Sequence, residues 1–361
     1  MRRIPLCEPD IKALDIQYVT RAIKNREISS GASWVKNFEK SFAGKFGMKY
    51  ASAVNSGGSA LFLALKAIGI KNGDEVIVPT FTMFATATVI TNCGAKPVFV
   101  DCVKNNPNID PKKLGSKITK RTKAILIAHL YGIPCEMKEI MKIADKRRIP
   151  VIEDVAEAHG ARINGKLCGT FGKASCFSFY ASKTMTSGEG GIVMTNDPKI
   201  NEMVNRLKQY DINPKKPYVH EIVSWNMKMS GMEAALGLAQ LERLNELIKK
   251  RNKVARNYRK SLNAINGIEF FSVPKTAKIS NWLYTILAKN RDGLTKFLSE
   301  NGIETKRVFV PMHKLKPYLQ KGDYKNAEDL SERGISLPSS TLLKEKGQNY
   351  VVFKIKEFYG V

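Results

Sequence analysis

Seven short apolar runs, each bounded by turn residues, punctuate the first two-thirds of the chain: residues 51–54, 75–79, 97–101, 124–130, 150–154, 175–180 and 191–195. Most are too continuously apolar for a sheet with one wet face, so both faces need cover. Segments with helical spacing lie between them, at 59–68, 82–91, 136–146 and 198–210. This repetition predicts an α/β fold, with a mostly parallel seven-stranded sheet flanked by helices.

From Met232 the pattern changes. Ala235, Leu238, Leu241, Leu244, Ile248, Ala255 and Tyr258 mark one long amphipathic helix. Beyond it, 282–288 and 307–310 read as strands and 293–300 as a helix. The chain of 361 residues is long enough for two cores. We therefore expect a large α/β domain over 1–235 and a smaller C-terminal α+β domain over 236–361, with the long helix as the connection.

Composition excludes several classes. Pro5, Glu8, Pro9 and Asp10 interrupt any apolar leader, and the longest apolar stretch is far short of the ~20 residues that span a bilayer. A cytoplasmic protein with no membrane partner is the expectation. The six cysteines are scattered with no C-x-x-C pair, and no histidines stand at metal-ligand spacing, so no metal is expected. The net charge of +26 favours anionic ligands, and seven of the twelve residues from Lys249 to Lys260 are Lys or Arg. No RNA-binding signature accompanies them, so a solvated helix face is preferred over a nucleic-acid surface.

Three constellations carry chemistry. Asn55-Ser56-Gly57-Gly58-Ser59 follows a strand and opens a helix. Its glycines allow close backbone approach, and the helix start offers free N–H groups to an anion. The loop matches neither the Walker nor the dinucleotide pattern, and such turns also occur without a ligand. Glu153-Asp154 ends an apolar strand, where ligand sites form in open parallel sheets. A carboxylate there needs a cation, which a protonated pyridine nitrogen supplies; a metal or a helix N-terminus are the alternatives. Lys183 follows the strand Cys176-Phe177-Ser178-Phe179-Tyr180 and precedes Ser187-Gly188-Glu189-Gly190-Gly191. Burial there would deprotonate its amine and equip it to form an imine. An anion cup, a carboxylate and a buried lysine at the ends of strands in one sheet are the minimal equipment for pyridoxal phosphate. His159, just after the Asp154 strand, is expected near the site, and His220 at the surface.

The F-S-F-x-x-x-K…G-E-G-G segment around Lys183, the E-D-x-A-x-A segment around Asp154 and His129-Leu130-Tyr131-Gly132 resemble the DegT/DnrJ/EryC1/StrS nucleotide-sugar aminotransferases. These are fold type I pyridoxal-phosphate enzymes, and the resemblance runs from about residue 28 to 340. It implies that Lys183 forms the imine and moves the proton between substrate carbon and cofactor. Asp154 would pair with the pyridine nitrogen. Gly57, Gly58, Ser59 and Ser178 would hold the phosphate, Met83 and Ala156 would lie against the ring faces, and Glu157 near the ring hydroxyl. Asn226 resembles the asparagine that reaches the neighbouring subunit's phosphate, which implies a homodimer with a shared active site. Tyr180 and His313 are candidates for sugar contacts.

Four stretches, Pro79–Met83, Glu157–Gly160, Phe177–Tyr180 and Arg333–Pro338, resemble the branch that aminates GDP-4-keto-6-deoxymannose. Glutamate is the implied donor, with polysaccharide biosynthesis (O-antigen, for example) as the setting. A dTDP- or UDP-linked keto-sugar, or a 3-keto sugar, is the alternative. Related dehydratases carry histidine where Lys183 stands. A non-catalytic cofactor-binding or nucleic-acid-associated protein on the same fold has only the charge in its favour. The chain departs from the family where Gly58 replaces threonine, Met83 an aromatic, Lys228 an arginine, Ser224 a glycine and Ser182 an asparagine.

Overall fold

The computed structural model describes residues 3–213, 216 and 218–361. Helices α1 (Ala13–Lys24) and α2 (Ser33–Phe46), both outside the sequence expectation, precede strand β1 (Tyr50–Val54). There follow α3 (Gly57–Ala67), β2 (Glu75–Pro79), α4 (Phe84–Asn92), β3 (Lys96–Val100), β4 (Thr122–Ala128), α5 (Met137–Arg147) and β5 (Val151–Asp154). A hairpin of β6 (Arg162–Ile163) and β7 (Lys166–Leu167) comes before β8 (Ala174–Ser178), β9 (Gly191–Thr195) and α6 (Pro198–Leu207).

Seven of these strands form one sheet in the order β1-β9-β8-β5-β4-β2-β3. All the pairings are parallel except those of β9, which runs antiparallel to both β1 and β8. A parallel return needs a crossover, usually a helix, and residues 179–190 between β8 and β9 contain none. Helices cover both faces. α3, α4 and α6 share one apolar core with the sheet, while α2 packs Phe38, Phe42 and Phe46 on the other side. β2, β5, β8 and β9 are buried along their whole length, as continuous apolar runs require. β4 ends at Ala128, short of the expected 130, because the chain turns through Tyr131 at φ 54.

Next come α7 (Gly231–Glu242), α8 (Leu244–Leu262), β10 (Ile268–Phe270), β11 (Ala277–Lys278), β12 (Tyr284–Ala288), α9 (Arg291–Glu300), β13 (Lys306–Arg307), α10 (Lys325–Arg333), β14 (Gly334–Leu337) and α11 (Glu345–Tyr359). β10, β12, β14 and β13 form an antiparallel sheet in that order. The expected single long helix is instead two, broken at Arg243 (φ −95, ψ 1). Arg243 there binds Asp10 at 2.9 Å and Asp15 at 2.8 Å, which ties the break to the start of the chain.

The packing passes from one core to the other within α8. Leu244 and Leu247 belong to the core of the large sheet, whereas Val254, Ala255 and Tyr258 belong to that of the small one. The chain's beginning joins the second of these cores. Ile4 bridges Ile303 and packs in the small-domain core.

Candidate active site

The carboxyl ends of β1, β2, β4, β5 and β8 open on one edge of the sheet, and their loops meet there. After β1, Ser56 caps α3 by accepting from the Ser59 N–H at 3.0 Å. The first N–H groups of the helix, at Gly57 and Gly58, line the adjoining cavity. Position 57 must be glycine, because a Cβ there would lie 2.7 Å from the Ser178 Cβ. Gly191 is equally constrained, since a Cβ would run into the Ser56 carbonyl. Glycines at 57 and 191 keep side chains off the start of α3 where it packs against β8 and β9, beside the Ser178 side chain.

The two acids ending β5 point to opposite purposes. Glu153 is fully buried and accepts N–H bonds from Gly169, Phe171 and Gly172, each at 2.7 Å. It also meets His129 Nε2 at 3.1 Å. The Cys135 N–H donates to His129 Nδ1 at 3.0 Å, so Nε2 carries the proton that reaches Glu153. Glu153 therefore clamps the loop after β7. Asp154 accepts from the Thr86 hydroxyl at 3.0 Å and the Ala156 N–H at 3.1 Å, and among the described residues no cation pairs with it. Burial pushes its carboxyl above the ordinary range, with the bonds from Ala156 and Thr86 pulling the other way.

Lys183 sits on the loop between β8 and β9 with its side chain 13% exposed. Its Nζ lies 3.7 Å from Glu157 Oε1 and 3.9 Å from the centre of the Trp282 ring. Burial lowers its pKa, and the nearby Glu157 and Asp154 carboxylates only partly oppose that. Burial likewise raises Glu157, which accepts from the Tyr131 N–H at 2.8 Å. The loop is held from behind. Trp282 Nε1 donates to the Ser182 carbonyl at 2.7 Å. The buried Arg251 donates to the carbonyls of Lys183 at 3.2 Å and Ser182 at 3.5 Å, and to that of Trp282. These elements enclose a cavity of about 320 Å³.

The chain matches the model of the DegT/DnrJ/EryC1/StrS aminotransferase family over residues 9–356. It is 38% identical to the GDP-perosamine synthase of Escherichia coli O157:H7, covering all of both chains. It is 40% identical to that of Caulobacter vibrioides (strain ATCC 19089 / CIP 103742 / CB 15) over 97% of this chain and 96% of the relative. Among solved structures it is similar to Streptomyces venezuelae DesV in complex with a ketimine intermediate, with a TM-score of 0.94, 31% identity and full coverage of both chains.

This chain is a DegT/DnrJ/EryC1/StrS aminotransferase. Its chemistry is sugar amination and its cofactor is pyridoxal phosphate. The cavity fits that cofactor in three respects: a glycine-built helix start beside Ser178 for a phosphate, a buried carboxylate with no ion pair among the described residues, and a desolvated lysine. No described helix is long and apolar enough to cross a membrane.

Of the residues singled out in the sequence, Gly57, Gly58, Met83, Asp154, Ala156, Glu157, Ser178, Tyr180 and Lys183 all line the cavity. Ser59 does not; its hydroxyl donates to Asn55 Oδ1 at 2.7 Å. Asn226 lies away from the cavity of its own chain, exposed, its Oδ1 accepting from the Lys228 N–H. His313 does not line the cavity. It is buried, with Nδ1 on the Thr80 hydroxyl at 2.7 Å and Nε2 on Glu328 at 3.1 Å. His159 is fully buried between Phe177 and Phe179, where burial lowers its pKa to about 3. His220 is exposed against the Tyr210 carbonyl. Sequence reasoning missed Thr86, Trp282, Lys306 and Phe309, which also line the cavity, and Arg251 behind it. Only Thr86, in the helix after β2, carried a local signal.

Proposed function

We propose that this enzyme moves an amino group from glutamate to C4 of GDP-4-keto-6-deoxymannose, yielding GDP-perosamine for polysaccharide assembly, within a cytoplasmic homodimer. The observation that carries this reading is the identity of 38% and 40% to two GDP-perosamine synthases across essentially whole chains. Another nucleotide-linked keto-sugar is the alternative. It is supported by 33% identity to the dTDP-3-amino-3,4,6-trideoxy-alpha-D-glucose transaminase of Streptomyces venezuelae.

Bound pyridoxal phosphate supplies an electron sink that acidifies the carbon bearing the nitrogen. In our reading the Gly57 and Gly58 N–H groups and the Ser178 hydroxyl hold its phosphate, and the Asp154 carboxylate keeps the ring nitrogen protonated. Lys183 Nζ would move a proton between the substrate carbon that bears the nitrogen and the cofactor, away from the donor's carbon in the first half of the cycle and onto the sugar's C4 in the second. Burial lowers the pKa of that amine, which eases the loss of its proton. Glu157 orients that amine from 3.7 Å. Met83 and Ala156 bracket the ring, and Tyr180 meets the sugar. The placement of Asn226, outside its own cavity, suits a side chain that serves a second copy. Six free cysteines suit a reducing cytoplasm.

The test is to incubate the protein with cofactor, glutamate and a panel of GDP-, dTDP- and UDP-linked keto-sugars, and to read products by mass. Conversion of the GDP-linked 4-keto sugar, lost in Lys183→Ala, is expected. Turnover of a dTDP- or UDP-linked sugar alone would replace the substrate. Unaltered transfer by Lys183→Ala would end the reading.

A further inference from the structure

The cavity carries more negative than positive side chains. Asp154, Glu157 and Glu189 line it, against Lys183 and Lys306. An amino donor brings its own carboxylates into this field, and at the reacting centre the only fixed cations among the described residues are those two lysines. Lys183 is committed to the nitrogen chemistry and already faces Glu157. Lys306 is free: among the described residues it forms no ion pair or hydrogen bond through its ammonium, although its neighbour Arg307 pairs with Asp292 at 2.8 Å. It stands on β13, so the small domain delivers it to the cavity wall beside Trp282 and Phe309. Most exposed lysines are merely solvated. Lys306 differs in lining the cavity and in acting on both buried groups there. Burial is the first cause of the lowered Lys183 and the raised Glu157, and the charge of Lys306 acts on each as well.

We infer that Lys306 holds the α-carboxylate of the amino donor, an assignment that rests on the proposed aminotransfer at this cavity. Two anions compete for the role, the donor's carboxylate and the diphosphate of the sugar nucleotide. Position decides between them. The α-carboxylate is borne by the very carbon whose nitrogen reacts, so it must lie close to Lys183 Nζ. The diphosphate is attached across the sugar ring from C4 and lies farther out. The helix start at Gly57 and Gly58 is taken by the cofactor's phosphate, which leaves Lys306 as the other lysine, among the described residues, lining the cavity.

The two half-reactions separate the sources. Donor alone bleaches the visible band of the lysine-bound cofactor, and keto-sugar alone restores it from the aminated form. Lys306→Gln should lower the donor half-reaction's second-order rate constant roughly 10- to 100-fold, the loss expected for one charge-assisted bond. The loss should lie mainly in the saturating concentration, Lys306→Arg should recover most of it, and the sugar half-reaction and the unfolding temperature should be unchanged. A loss confined to the sugar half-reaction would assign the lysine to the diphosphate and overturn the proposal. Equal losses in both halves, or none, would overturn it too. If glutamate leaves the wild-type band intact, the same measurement runs with whichever α-amino acid bleaches it, since all share the α-carboxylate. Failure on every keto-sugar would sink the proposed substrate while the donor half still judges Lys306.

Discussion

Asp154 shows how a single side chain is prepared for a ligand. It is buried, held by one hydroxyl and one N–H, and forms no ion pair among the described residues of its own chain. Burial raises its pKa above the ordinary 3.8. The folded, cofactor-free protein therefore binds this proton more tightly than the unfolded chain does. Its stability falls as pH climbs from below 3.8 through the raised value, by about 1.4 kcal/mol for each tenfold gain in proton affinity on folding. Asp154→Asn removes that penalty. The cofactor-free variant should melt a few degrees above wild type at pH 7, with the gap closing towards pH 4, as read by calorimetry. On the proposed pairing with the ring nitrogen, the same change should weaken cofactor binding, because that nitrogen would lose its counter-charge. A variant destabilised at pH 7 would show that the carboxylate is better satisfied than its two bonds suggest. At this scale Lys183 and Asp154 were legible in the sequence, because each stands at the end of an apolar strand. Trp282 was not legible as part of the site: it lies 3.9 Å from Lys183 Nζ, but no local pattern joins residues so far apart in the chain.

At the scale of elements, the start of α3 and the middle of α8 each control the site. Gly57 and Gly58 look interchangeable in sequence, yet a Cβ meets Ser178 at 2.7 Å from position 57 and only Ser56 Oγ at 3.8 Å from position 58. Gly57→Ala must push α3 away from β8. It should raise the cofactor's dissociation constant about tenfold or more, equivalent to about 1.4 kcal/mol, whereas Gly58→Ala should change it far less. Fluorescence titration with the cofactor distinguishes the two. On α8, Arg251 gathers the carbonyls of Ser182, Lys183 and Trp282, a positioning role rather than a catalytic one. Arg251→Gln leaves those acceptors unpaired and should lower stability by about 3 kcal/mol. It should also move the pH at which the lysine-bound cofactor changes colour, because Lys183 is no longer held at one depth. A lowered melting temperature with an unmoved spectral titration would reduce Arg251 to a packing residue. The basic run containing Arg251 reads in sequence as a solvated face, and for most of its members it is one. The fold turns this arginine inward because α8 lies between the two cores.

The whole molecule carries +26 charges, and its substrate class is anionic. Charge of this size attracts a nucleotide diphosphate from beyond contact distance, and salt screens that attraction as the Debye length shrinks from about 30 to about 8 Å between 0.01 and 0.15 M. kcat/KM for the sugar nucleotide should fall several-fold over that range, with kcat nearly constant. An equal fall in kcat would place the salt effect in the chemistry or the fold.

The alternation of buried strands and helices, the glycine-bearing helix start and the acid and lysine at strand ends are local patterns. Each is dictated by what a few consecutive residues can bury or bond, so the chain announced the α/β class and Gly57, Gly58, Asp154 and Lys183 on its own, while the family resemblance added Met83, Ala156, Glu157, Ser178 and Tyr180. Tertiary structure alone decided that β9 runs against its neighbours, that the connecting helix breaks at Arg243, and that the packing passes between two cores within α8, one of which takes in Ile4. It alone brought Trp282, Lys306 and Arg251 to Lys183 and turned His313 away from the cavity. Those outcomes depend on contacts between residues far apart in sequence. Their free energy appears only when the two cores close together, so no period, motif or propensity along the chain records it.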